Sequence, residues 1–103
     1  MAKFGVAVGM FGVHHYYGGD ARGYLEAAKL ADAAGIDQVV FTDHVVMGEH
    51  TERYPYGPFP LPPPAPGFEP LTLLAAIAAV TTRIELATGI LIAPLRPAAV
   101  LAK

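Results

Sequence analysis

Apolar positions along this chain switch between two rhythms. Phe4 to Val8 (Phe-Gly-Val-Ala-Val) is a continuous apolar run without alternation, the pattern of a strand covered on both faces in a parallel sheet. After Asp20, which offers an N-cap, Tyr24, Ala27, Ala28, Ala31 and Ala34 recur at helical spacing, with Arg22, Glu26, Lys29 and Asp32 on the opposite side. Gly35 stands where a C′ glycine ends a helix. Ile36 and then Gln38 to Thr42 form a β-branched and aromatic run that predicts a second strand, terminating at Asp43-His44. Pro70 occupies a first-turn position, and Leu71 to Val80 predicts a strongly apolar helix ended by Thr81, Thr82 and Arg83. A third strand follows over Ile84 to Leu91, broken by Gly89. Pro94 and Pro97 then punctuate the chain, and Ala98 to Lys103 opens another helix, so the chain reads as ending inside an element.

Strand, helix, strand, helix, strand, helix forces parallel pairing with right-handed crossovers, so the predicted class is α/β. Three strands do not close a barrel. Residues 1–103 therefore read as a partial domain with both sheet edges open, expected to be a piece of a larger barrel, with a small open three-stranded α/β domain as the other possibility. Between Asp43 and Glu69 lies a long interval carrying seven of the ten prolines. Loops of this length are usually functional or disordered, and in βα barrels the loops that follow strands build the active-site face. Tyrosines and phenylalanines interleave with these prolines as in a packed lid; the competing reading is a polyproline spacer or interaction ligand over Pro60-Leu61-Pro62-Pro63-Pro64.

Composition narrows the picture. The chain is 53% hydrophobic and 16% charged, but its longest apolar run is too short to span a bilayer, and no secretory pattern follows Lys3, so a cytoplasmic protein with no membrane partner is expected. It has no cysteine, which removes disulfides, thiolate metal sites and cysteine nucleophiles. A net charge of −2 with singly scattered Lys and Arg provides no basic patch, which argues against nucleic acid as partner.

Four histidines, His14, His15, His44 and His50, lie in or near the segments after the first two strands. On an extended backbone His14 and His15 would point to opposite faces, so no metal site is expected there. Asp43-His44 sits at the C-terminal end of strand two, where barrel enzymes place catalytic groups. A histidine there can exchange a proton near neutral pH or polarise an oxygen, with the carboxylate orienting it; equally, the pair could be a satisfied histidine and a turn-capping aspartate. Gly89, between Thr88 and Ile90, marks a bulge, a close approach by another backbone or a ligand, or a local kink. No Gly-x-Gly-x-x-Gly joins strand one to its helix, which disfavours a dinucleotide-binding domain.

The string from Ala33 to His44, then Tyr54-Pro55-Tyr56, Pro70 to Ala76, Thr82 to Leu91, Pro94-Leu95-Arg96 and Leu101-Ala102-Lys103 resembles the luciferase-like monooxygenase superfamily, most closely the branch of coenzyme F420-dependent oxidoreductases. The resemblance implies the N-terminal three βα units of a TIM (β/α)8 barrel with a deazaflavin ring across the strand ends. It implies catalytic or binding roles for His44 and Asp43, contact of Thr88, Gly89 and Ile90 with the cofactor, and a cis peptide at Gly89-Ile90. The implied reaction is hydride transfer between a small organic substrate and the deazaflavin, in a protein that forms homo-oligomers when full length. The alternatives are an FMN-dependent monooxygenase of the same superfamily, whose bound cofactor would give a two-band flavin spectrum, and a non-catalytic fragment or proline-rich interaction module.

Overall fold

The computed structural model describes residues 5–9, 13–45, 49–59 and 67–103. Three strands, β1 (Ala7–Gly9), β2 (Gln38–Phe41) and β3 (Glu85–Thr88), form one parallel sheet in the order β1-β2-β3. Val39 of β2 sits between Val8 and Leu86, and Phe41 pairs with Thr88. Among the described residues four helices accompany them: α1 (Val13–Tyr17), α2 (Ala21–Ala33), α3 (Pro70–Ala78) and α4 (Ala98–Leu101). Single 3-10 turns occupy Thr51–Arg53 and Ala93–Leu95. The α/β class and all three parallel strands match the periodicity of the sequence.

Local chemistry explains the longer helices. Asp20 caps α2 by accepting the Arg22 N–H at 2.9 Å, and Gly35, at φ +83°, turns the chain toward β2. Both α2 and α3 pack on one face of the sheet. Tyr24 and Ala28 from α2, Leu73, Leu74 and Ile77 from α3, Val39 and Phe41 from β2, and Ile84 make the buried core. The Tyr24 ring lies 5.5 Å from both Phe41 and Phe68. Burial alternates along β2, with Val39 and Phe41 turned to the helices and Gln38 and Val40 to the other side.

Three sequence-based expectations are corrected. His14 and His15 lie on a helical turn rather than an extended segment; Val13 packs on the core and Tyr17 on Gly23, so tertiary contact decides the conformation of a stretch with little pattern of its own. A Cβ on Gly23 would come within 2.5 Å of the Tyr17 Cβ, which reserves this helical position for glycine. The described helices cover one face of the sheet, leaving Ala7 of β1 exposed, where the apolar run predicted cover on both faces. The strands are also shorter than predicted. Ile84 is buried before β3 begins, and the chain leaves the sheet at Gly89, short of Leu91. The Phe4 start of strand one and Pro60, Pro62, Pro63, Pro64 and Pro66 lie outside the described residues.

The N-terminal ends of the strands are fastened by two aspartates. Asp32 accepts the backbone N–H groups of Thr82 at 2.7 Å and Ile84 at 3.0 Å, and Asp37 accepts that of Val6 at 2.9 Å. Arg83 donates to the Ile36 carbonyl and lies 3.5 Å from Asp37. Asp32, placed by its spacing on the polar side of α2, thus holds the turn between α3 and β3. Its carboxyl is held below the usual range, first by the Thr82 N–H, against the opposing effect of burial.

Candidate functional site

Asp43 and His44 follow the C-terminal end of β2 after Thr42, at the end of the parallel sheet where such folds place ligands. The Asp43 side chain is only 9% exposed. Its Oδ2 accepts the Ile92 N–H at 2.9 Å and the Arg96 Nη1–H at 2.7 Å, so it ties the end of β2 to the segment that follows β3. Arg96 completes the arrangement: Nη1 also donates to the Ile92 carbonyl at 3.1 Å, and Nη2 donates to Glu69 Oε1. Glu69 is the N-cap of α3, where its Oε2 accepts the Thr72 N–H at 2.7 Å. One guanidinium therefore joins three segments that are remote in sequence. Its side chain is 16% exposed, and its charge is balanced by the two carboxylates it holds.

The electrostatics follow from this geometry. The Arg96 hydrogen bond, aided by the Ile92 N–H, holds the Asp43 carboxyl below the usual carboxylate range. At Glu69 desolvation opposes ionisation, but the bonds from Arg96 and from the first turn of α3 prevail and bring its pKa to about 2. Arg96 is raised in turn, chiefly by its hydrogen bond to Asp43. At neutral pH the cluster is a cation between two anions.

Beside it opens a cleft of about 340 Å³, lined by Asp43, His44, Val45, Phe68, Leu95 and Arg96 among others. His44 is on the exposed side of this cleft. Thr88, at the end of β3, is half-buried and shares Phe41's side of the sheet by register. Gly89 and Ile90 follow past the strand end with a cis peptide between them, where the resemblance puts one. Ile90 is 82% exposed. A Cβ on Gly89 would meet Val40 Cγ1 at 2.7 Å, a close approach by a side chain where the sequence suggested a backbone or a ligand. Among the described residues no three His, Asp or Glu side chains converge as metal ligands, and no helix is long and apolar enough to cross a membrane.

Thus Asp43, His44, Thr88, Gly89 and Ile90 all lie at the C-terminal ends of β2 and β3. His14 belongs to α1, and His50 pairs with Glu52 at 3.0 Å in the loop after β2. Sequence reasoning gave no role to Arg96 or Glu69. The available signal was a lone arginine between Pro94 and Pro97 in an otherwise apolar stretch, a setting in which a charge requires partners.

Exposed Ile90 gives the strand end an apolar side chain, the kind of group on which a flavin-type ring packs, and Thr88 precedes it with a hydroxyl. Arg96, already held by two carboxylates, does not suit an anionic cofactor tail.

The luciferase-like monooxygenase family matches the chain over residues 2–103. Uncharacterized proteins of Mycobacterium tuberculosis and Mycobacterium bovis are 36% identical to it over 84 residues, which cover 78% of this chain and 29% of theirs. The matched segment is thus under a third of the length of these relatives. No solved structure matches the chain.

Proposed function

Since the chain belongs to the luciferase-like monooxygenase family, whose members are oxidoreductases, we propose that it forms the first βα units of a TIM barrel that transfers a hydride between a small organic substrate and coenzyme F420. The observation carrying this reading is the convergence at one end of the sheet. His44 stands at a cleft of about 340 Å³ beside an aspartate locked in its ionised form, with Thr88, Gly89 and Ile90 at the end of the adjacent strand. Thr88, Gly89 and Ile90 hold the cofactor ring, and a deazaflavin bound there supplies two-electron chemistry. His44 binds the substrate oxygen and exchanges the accompanying proton at an imidazole nitrogen, the task for which a histidine is suited near neutral pH. Asp43 acts as an anchor: its carboxylate keeps the backbone before His44 in place. The full-length protein works in the cytoplasm and as a homo-oligomer. FMN is the alternative cofactor, and the visible spectrum of the bound group distinguishes the two.

The test is His44→Ala in the full-length protein. Turnover is expected to fall by roughly 10² to 10⁴, the usual span for loss of a general acid or base. Cofactor affinity falls much less, because a group bound through contacts from several strands keeps most of its binding energy when one imidazole is removed. Measured together, kcat, cofactor Kd and Tm separate this from a structural histidine, for which stability drops and kcat per folded molecule stays the same.

A further inference from the structure

Arg96 lies 53 residues from Asp43 and 27 from Glu69 in sequence, yet its guanidinium contacts both carboxylates and the Ile92 carbonyl while lining the same cleft as His44. We propose that Arg96 is the positioning residue of the strand-end site: it sets the place of His44 by clamping Asp43. This rests on the role given above to His44.

The clamp has a definite geometry. Asp43 Oδ2 receives two donors, Arg96 Nη1–H at 2.7 Å and Ile92 N–H at 2.9 Å, and Arg96 Nη1 returns to the Ile92 carbonyl at 3.1 Å. Asp43, Ile92 and Arg96 thus close a ring of hydrogen bonds that fixes the backbone of Asp43 relative to the segment after β3. His44 is the next residue. Through Nη2 the same guanidinium holds Glu69 at the start of α3, one residue from Phe68, which forms another wall of the cleft. An arginine serves here because its planar fork reaches two carboxylates at once, whereas a lysine ammonium on a flexible stem is a point charge that cannot present the same two directions. Removing the fork leaves two carboxylates without their shared counter-charge, and the end of β2 loses its tie through Arg96 to the segment after β3.

The experiment uses the full-length protein labelled with 13C at histidine Cε1, the His44 resonance being assigned by its loss in His44→Ala. In folded Arg96→Lys the His44 resonance is expected to broaden and move, while the His14 resonance, on α1, stays where it is. Arg96→Ala is expected to go further in the same direction. Free guanidinium ion, added below denaturing concentration, should bring the Arg96→Ala signal part of the way back. An unmoved His44 resonance in folded Arg96→Lys overturns the proposal, as does a change spread equally over all the histidines. Should Arg96→Lys not fold, Asp43→Asn decides by the same reading, because it removes the charge that Arg96 holds and keeps an oxygen for the Ile92 N–H. The failures separate cleanly: turnover unaffected by His44→Ala overturns the functional role of His44, whereas an unmoved resonance overturns only the role of Arg96.

Discussion

Glutamate is not among the preferred N-cap residues, yet Glu69 caps α3 while also holding Arg96. Oε2 caps α3 and Oε1 meets Arg96. A pH dependence follows. Glu69 ionises at about 2 in the folded chain against an ordinary 4.5, so above 4.5 its contribution to stability is fully present. Between pH about 4.5 and 2 the unfolded chain takes up the proton first and that contribution is lost. Asp43, also lowered, adds to the same acid limb below its ordinary 3.8. The melting temperature is expected to fall as pH drops through this window, and Glu69→Gln should flatten the fall while lowering Tm at neutral pH; parallel curves for the two proteins would contradict the assignment. The residues of this cluster were unequally legible in the sequence. Asp43 and His44 announce themselves because a β-branched run stops at them. Arg96 and Glu69 do not, because an ion pair between residues 27 or 53 positions apart leaves no local pattern to read.

At the scale of elements, helices with a cap and a period of their own were legible, and elements made by contact were not. Asp20, Pro70 and Gly35 mark their helix ends within a residue or two, whereas α1 exists because Val13 and Tyr17 find partners on α2 and the core. The packing of β2 against the end of β3 provides a direct test. Val40 is β-branched and stiff at χ1, so it cannot swing away from a Cβ placed 2.7 Å from its Cγ1. Gly89→Ala is expected to destabilise the protein by about 1–3 kcal/mol, the usual range for overpacking. The same substitution in a Val40→Ala background should cost far less. Equal penalties in both backgrounds, measured by urea unfolding, would place the cause elsewhere.

For the whole molecule, the sheet has β1 and β3 at its edges, and Leu30, Leu95 and Val100 are among the apolar side chains left more than half exposed. Open edges and uncovered apolar surface favour association. The 103-residue chain on its own is therefore expected to sediment above the monomer mass in a concentration-dependent way and to release both FMN and coenzyme F420 on gel filtration. A monodisperse monomer with one cooperative melt would show it to be a self-sufficient domain. One feature of the clamp also bears on how such a protein can change. Asp43 and Glu69 are the first and last residues of the proline-rich interval, and one guanidinium grips both. Arg96 thus bridges the two ends of that interval. Because closing a loop costs only about 0.6 kcal/mol more for each doubling of its length, residues inserted between Asp43 and Glu69 are expected to cost little while Arg96 keeps the end of β2 and the start of α3 together. Selection for a different substrate can therefore act on the contents of the loop without disturbing the residues that frame it.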